Sequence, residues 1–376
     1  MNSKISQYLT KHQPSTPCLI VDLDIVDHNY QQLSQTLPFA DIYYAIKANP
    51  ALPILKRLVA MNAFFDAASW EEVQLCLDAG APPSHISFGN TVKKVSAIQA
   101  ASQANVEMYV FDSIEEMQKI AKHAPGAKVY CRLTVDNLGA DWPLSGKFGT
   151  TTEHAIELLL EAQKSGLNPY GVSFHVGSQQ TDPKAYSLAI EKAALVFRAL
   201  AEQNIHLQMI NLGGGFPIHY REDIPKLNEF ETEIQKSLHH HFNNNFPRII
   251  LEPGRAIVGN AGVISTEVIL SSKRGKENGP RWVYLDIGRF GGLAETEGEA
   301  IRYQITTEYD GSDTDPVILA GPSCDGVDVL YQKSNYQLPL QLSAGDRVAL
   351  LSTGAYVSTY CSTSFNGFPP LEEHYI

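Results

Sequence analysis

The sequence predicts an α/β protein: a (β/α)8 TIM-like barrel plus a C-terminal β domain. Three observations predict it. Eight short apolar runs recur, about 21 residues apart at first and about 40 later, so each gap holds a helix with its turns. The runs are mostly continuous rather than alternating, as in strands buried on both faces of a parallel sheet. After about residue 260 the helical rhythm stops, and short runs rich in β-branched residues follow one another.

In order, the eight runs are DIYYAIK (41–47), AFFDAAS (63–69), HISFGN (85–90), EMYVFD (107–112), KVYCRLTV (128–135), YGVSFHVG (170–177), QMINLGGG (208–215) and RIILEPG (248–254). Helix starts fall between them. Ser69 with Glu72, and Ser113 with Glu116, have capping-box spacing, in which each side chain satisfies a free backbone N–H. Asp182 followed by Pro183 reads as an N-cap with proline at the first helical position. Residues 151–166 show helical apolar spacing and end in glycine. Beyond the barrel come VISTEVIL, RWVYLDIG, PVILAG and RVALLSTGAY. The early run PCLIVDL (17–23) reads as another strand of that second domain. The expected division is therefore a barrel over 24–260, and a β-sandwich or β-barrel-like domain made of 1–23 and 261–376.

Composition narrows the function classes. With 376 residues, 44% hydrophobic and 19% charged, the chain has the make-up of a soluble globular protein. No apolar run approaches the ~18 residues of a membrane span, and MNSKISQYLTKHQPSTP lacks an apolar signal core. A cytoplasmic protein with no membrane partner is expected. A net charge of −12 opposes a nucleic-acid partner and is compatible with a small cationic substrate. The five cysteines, Cys18, Cys76, Cys131, Cys324 and Cys361, show no CxxC spacing, so neither a disulfide framework nor a zinc site is expected. Three consecutive histidines, His239 to His241, point about 100° apart on a helix and cannot share one ion from one face. No metal is expected.

Chemistry in such a barrel gathers at the C-terminal ends of the strands. Those positions carry Lys47, Asp66, Asn90, Asp112, Arg132, His175, Gly213 to Gly215, Glu252 and Arg255. Each has a plain reading on its own. Lys47 is then a lysine reaching solvent, the glycines a tight turn, Glu252 with Arg255 an ion pair, His175 a hydrogen-bonded core residue, and Asp66 a turn cap. Together they are an amine able to form a Schiff base, a glycine loop able to wrap a phosphate, a carboxylate able to hold a ring nitrogen protonated, and an imidazole able to stack on a flat ring. That set is the parts list for pyridoxal 5'-phosphate (PLP).

The motifs YYAIKANP, FDAAS, FHVGSQ, NLGGGFP, EPGR, GPSCDGVD and GAY…FNGF, in this order, resemble the ornithine/diaminopimelate/arginine decarboxylases, members of the alanine-racemase-like fold type III PLP enzymes. The resemblance runs over nearly the whole chain. It implies that Lys47 carries the cofactor as a Schiff base, His175 stacks on its ring and Glu252 pairs with the pyridine nitrogen. It also implies that Ser178, Gly213, Gly214, Gly215, Arg255 and Tyr356 hold the phosphate, with Asp66 and Arg132 in support. The family's active sites are shared across a homodimer. Cys324 would return a proton to the substrate, Asp325 would receive its distal ammonium, and Phe365 and Tyr356 would line the substrate pocket. Lys147 would bridge to Asp328 of the partner subunit.

The diaminopimelate branch carries Cys-Glu-Ser where this chain has Cys324-Asp325-Gly326, as the ornithine branch does. Segments 139–149 and 285–303 resemble bacterial ornithine and lysine/ornithine decarboxylases. Where those enzymes tend to have an acidic pair, this chain has Glu297-Gly298-Glu299, and Glu299 is expected at the distal amine. The expected reaction is decarboxylation of L-ornithine to putrescine in polyamine biosynthesis. The alternatives are L-lysine, diaminopimelate or a modified diamino acid. A non-catalytic regulator resembling antizyme inhibitors is the alternative of another class, and Lys47, Cys324 and Asp325 argue against it.

Overall fold

The computed structural model describes residues 1–142, 146–275 and 279–376. The chain falls into two units, one made of 27–217 with 224–256, the other of 1–26, 218–223 and 257–376. Segment 218–223 lies inside the bounds expected for the barrel, yet it belongs to the second unit. Its aromatic and cationic side chains explain this. Tyr220 packs edge-on against Tyr303, with centroids 5.5 Å apart, and the Arg221 guanidinium lies 4.4 Å from the Tyr336 ring centroid.

The larger unit is a closed barrel of eight parallel strands. They are β1 (Ala40–Ala45), β2 (Phe64–Ala67), β3 (Ile86–Phe88), β4 (Met108–Phe111), β5 (Lys128–Arg132), β6 (Asn168–Ser173), β7 (Met209–Asn211) and β8 (Arg248–Leu251), and β8 pairs back onto β1. A helix follows each strand up to β7, for example Leu52–Ala60 after β1 and Leu227–Phe242 after β7. His239 to His241 form the last turn of the latter. The barrel interior is filled by Tyr43, Met108, Val110, Tyr130, Met209 and Ile250, with Phe64 and Tyr170 packed against them. At the N-terminal end Arg248 donates to Asp41 at 2.6 Å and lies over the Tyr43 and Phe64 rings, tying the last strand to the first.

Every strand is shorter than the apolar run that predicts it, because the runs continue into the loops at the strands' C-terminal ends. The helix starts also differ in detail. Ser69 and Ser113 accept the N–H groups of Glu72 and Glu116, as the capping box requires. The glutamates do other work: Glu72 accepts from Ala68 N–H at 2.6 Å, and buried Glu116 pairs with Lys93 and Lys119. Lys93 is buried in this network, and its ammonium donates to the carbonyls of Asn90 and Val110 at 2.7 Å each. Burial lowers its pKa to about 8 against the opposing pull of Glu116. The helix after β6 begins one residue later than expected, at Lys184, with Pro183 as the cap and Asp182 accepting the Lys184 N–H.

Among the described residues, the second unit carries an eight-stranded mixed sheet. Its long central strand, Gly262–Lys273, pairs antiparallel with Cys18–Val21, Arg281–Leu285 and Arg347–Leu351. Cys18–Val21 also pairs, in parallel, with Glu372–Tyr375. The helix Ser3–His12 precedes it, capped by the Asn2 side chain accepting from Ile5 N–H, and Ile5, Tyr8 and Leu9 pack on this end of the sheet. Among the described residues, no helix is long and apolar enough to cross a membrane.

Candidate active site

The C-terminal mouth of the barrel gathers titratable groups whose fields act on one another. β1 ends at Ala45, and the tight turn Ile46–Ala48 buries Ile46 and Ala48 while leaving Lys47 exposed. Asn49 and Pro50 close the turn: the Asn49 carbonyl accepts from the buried Tyr44 hydroxyl at 2.8 Å, and its side-chain oxygen accepts from Ala51 N–H at 3.1 Å. A strand therefore runs up to this lysine because the turn after it is pinned from beneath. Asp66, the third residue of β2, is buried, and its Oδ1 has no hydrogen-bond partner among the described residues. Burial and the Glu252 carboxylate push its carboxyl well above the ordinary range, against the pull of Lys47 and Arg132. Burial holds the His175 ring neutral, and the Lys47 and Arg132 charges reinforce this. His175 Nδ1 accepts from Gly177 N–H at 3.0 Å, so the neutral ring carries its proton on Nε2.

The loops after β6, β7 and β8 lock together. Asn211, wholly buried at the end of β7, donates to Glu252 Oε1 at 2.5 Å and accepts from Gly213 N–H at 2.9 Å. Glu252 N–H donates to the Gly213 carbonyl at 2.8 Å, and the Tyr186 hydroxyl to the Gly214 carbonyl at 2.8 Å. The glycines are required here. Gly213 has φ +69°, and a Cβ on Gly214 would lie 2.5 Å from the Glu252 carbonyl and 3.4 Å from His175 Nε2. Arg255, buried, donates to Ser178 Oγ through Nε at 3.3 Å and Nη2 at 3.2 Å. The Arg132 guanidinium lies 5.3 Å from the Phe148 ring, and Lys147 Nζ lies 4.9 Å from the same ring. Asn211, Tyr186 and Asn137, which donates to the His175 carbonyl at 3.0 Å, are the supports that sequence reasoning missed. Only Asn211 gave a signal, standing at the head of NLGGGFP.

In the second unit, Cys324 and Asp325 are exposed on one turn. Asp325 Oδ1 accepts from Val327 N–H at 3.0 Å, and the Asp325 carbonyl accepts from Asp328 N–H at 3.1 Å. Phe365 stacks at a tilt on Phe290, with centroids 4.5 Å apart, and lines a cavity of about 240 Å³ together with Phe290, Pro322, Ser323, Asp328 and Phe368. Tyr356 is half-buried with φ +56°, a left-handed backbone uncommon for so large a residue.

Two expected site residues also have partners within their own unit. Asp328, expected at a partner's Lys147, is buried and accepts from Arg289 N–H at 2.8 Å and Ser323 N–H at 3.1 Å, and a Cβ on Gly321 would fall 2.4 Å from its Oδ2. Glu299 was expected at the substrate's distal amine. Its Oε1 accepts from Gln332 N–H at 2.7 Å and Lys333 N–H at 2.5 Å, which joins its own turn to the strand Val329–Pro339. Burial pushes its carboxyl up, but these N–H groups outweigh burial and hold it below the ordinary range.

Residues 23–259 match the pyridoxal-binding domain of the pyridoxal-dependent decarboxylases. The chain belongs to this family. It is 36% identical to the lysine/ornithine decarboxylase of Selenomonas ruminantium over 370 residues, covering 98% of this chain and 91% of the relative. The structure of SrLDC in complex with PLP and cadaverine superposes with a TM-score of 0.88 at 34% identity, covering 99% of this chain and 93% of that one. The Paramecium bursaria Chlorella virus arginine decarboxylase bound to agmatine gives a TM-score of 0.91 at 29% identity over the whole of both chains. The protein is a PLP-dependent amino-acid decarboxylase with the fold type III architecture of barrel plus β domain.

The residues of this pyridoxal-dependent decarboxylase fit the cofactor. A buried guanidinium, the Ser178 hydroxyl and a glycine loop with no room for side chains suit a phosphate dianion. A neutral imidazole suits a flat ring, and a carboxylate oriented by Asn211 suits a protonated ring nitrogen. The unpartnered Asp66 Oδ1 sits in the same electrostatic neighbourhood.

Proposed function

We propose that this decarboxylase acts on a basic L-amino acid, with L-ornithine to putrescine as its main reaction. The observation that carries the substrate class is the exposed Cys324–Asp325 turn, which presents a thiol beside a carboxylate. Asp325 uses Oδ1 for its own turn, and a carboxylate with about four lone-pair sites retains acceptor capacity for an ammonium. An ammonium gains a charge-assisted hydrogen bond from this carboxylate that an apolar side chain cannot make. Relatives named for lysine, ornithine and arginine support the class. The Cys-Asp-Gly turn favours ornithine within it.

PLP, when bound, supplies the electron sink for the pair of electrons left by departing CO2. The chain's own residues do the rest. Lys47 would offer the amine that anchors the cofactor. Glu252, oriented by Asn211, would keep a ring nitrogen protonated, and neutral His175 would offer its face to the ring. Arg255, Ser178, the glycine loop and Tyr356 would hold the phosphate. Cys324 delivers a proton to the substrate α-carbon, and Asp325 pairs with the distal ammonium. A homodimer is part of the reading, with the exposed Cys324 turn of one protomer serving the barrel of its partner.

The test is a parallel incubation of the PLP-loaded protein with L-ornithine, L-lysine, meso-diaminopimelate and L-arginine, measuring CO2 and amine. Fastest turnover of ornithine is expected. A preference for another of the four overturns the ornithine assignment, and no turnover of any sinks the substrate class. Mixing Lys47→Ala with Cys324→Ala protein is expected to restore activity through hybrid dimers. No recovery despite subunit exchange would refute the shared site.

A further inference from the structure

The turn Phe365–Gly367 carries an unexplained cluster of left-handed backbone. Ser364 has φ +65°, Asn366 φ +51° and Gly367 φ +77°. Two non-glycine residues in this region cost free energy and persist where surrounding contacts enforce them. The Gly367 N–H donates to the Ser364 carbonyl at 3.0 Å, and Phe365 is anchored on Phe290. The result is to aim one side chain. Asn366 Oδ1 accepts from the Cys324 N–H at 3.1 Å and from the Cys324 thiol at 3.4 Å.

The backbone about Cys324 is already fixed without that second bond. Asp328 holds Ser323 N–H on one side and Asp325 Oδ1 holds Val327 N–H on the other. What remains loose is the thiol, a weak donor free to occupy three staggered rotamers on an exposed turn. We infer that Asn366 is a positioning residue that selects the rotamer from which the Cys324 thiol gives up its proton. The inference rests on the proposed role of Cys324. In that step the Cα–carboxylate bond breaks and its electron pair remains behind. The S–H bond then breaks, a Cα–H bond forms, and the thiolate regains a proton from water.

The test uses PLP-loaded protein in a Cys361→Ser background, because Cys361 is the other cysteine that is not fully buried. Asn366→Gly accepts the left-handed backbone and removes the oxygen; Asn366→Asp accepts it and keeps the oxygen. With Asn366→Gly, kcat is expected to fall about tenfold with little change in KM. Less amine should form per CO2 released, and iodoacetamide should alkylate Cys324 faster. Asn366→Asp should restore the ratio of amine to CO2. The infrared S–H stretch of Cys324, isolated by subtracting the Cys324→Ser spectrum, should show a hydrogen-bonded thiol in the parent protein, a reading that needs no fragile variant. A free-thiol band, or an Asn366→Gly protein matching its parent in all three measures while Cys324→Ser is impaired, overturns the inference. Normal kinetics in Cys324→Ser would instead refute the underlying role of Cys324.

Discussion

At the barrel mouth, side chains are fixed by buried partners. Asn211 grips Glu252, Tyr186 the glycine loop, and Arg255 Ser178. On the Cys324 turn the side chains proposed to meet the substrate are exposed, and the fixing is done from behind by Asp328 and Asn366. The first construction suits a cofactor that stays. Its groups are dehydrated and their charges act strongly on each other, as the displaced carboxyl of Asp66 and the neutral ring of His175 record. The second suits a substrate that comes and goes, because an exposed carboxylate can exchange water for an ammonium without remaining buried and unpaired.

Substitutions can break this contrast. Lys47→Ala should have the largest effect, removing the visible absorbance of the bound cofactor and lowering kcat by about 10³-fold or more. A persistent absorbance band would move the anchor elsewhere. Glu252→Gln keeps the size and removes the charge, and kcat should fall about 10²–10³-fold with the absorbance retained. Unchanged kcat would separate Glu252 from the chemistry. Asp325→Ala should raise KM for the diamino acid by about 10²-fold, the discrimination expected where one carboxylate pairs one ammonium. Glu299→Gln should leave KM alone and cost about 1–2 kcal/mol of stability, read by chemical denaturation, since it weakens the acceptor for two N–H groups. The opposite pattern for this pair would place Glu299 at the substrate and leave Asp325 a structural role.

The smallest effect concerns Asp66. Its folded pKa is raised, so the native chain holds a proton that the unfolded chain has released. The stability this contributes is fully present below the unfolded value of ~3.9 and is lost as pH rises through the folded value. Cofactor-free Asp66→Asn protein should therefore melt about 2–4 °C above the parent at neutral pH, with the gap closing towards pH 4. A constant gap would show that the carboxyl does not titrate in this window.

The contrast also explains what could be read in the sequence. Barrel strands are buried on both faces, so their apolar runs stand out and the polar residues that end them stand out with them. Lys47, Asp66, His175 and Glu252 were legible for that reason. The backbone partners of Asp328 and Glu299 were not legible, because a carboxylate facing backbone N–H groups looks, in sequence, like one facing solvent or a ligand. Only the fold reveals that Gly288 and Gly321 close around Asp328, or that Val329–Pro339 brings Gln332 and Lys333 to Glu299. The placement of 218–223 was hidden for the same reason, since the partners of Tyr220 and Arg221 lie some 80 to 115 residues downstream.

The pairing of β8 with β1, clasped by Arg248 on Asp41 across 207 residues, has a consequence for synthesis. At about 5–20 residues per second on the ribosome, the edge of β1 waits roughly 10–40 s for the strand that covers it. Cys18–Val21 waits longer, since its partners are Gly262–Ser265 and Glu372–Tyr375. Throughout that interval the nascent chain presents unsatisfied strand edges, the surface on which holding chaperones act and on which neighbouring chains aggregate.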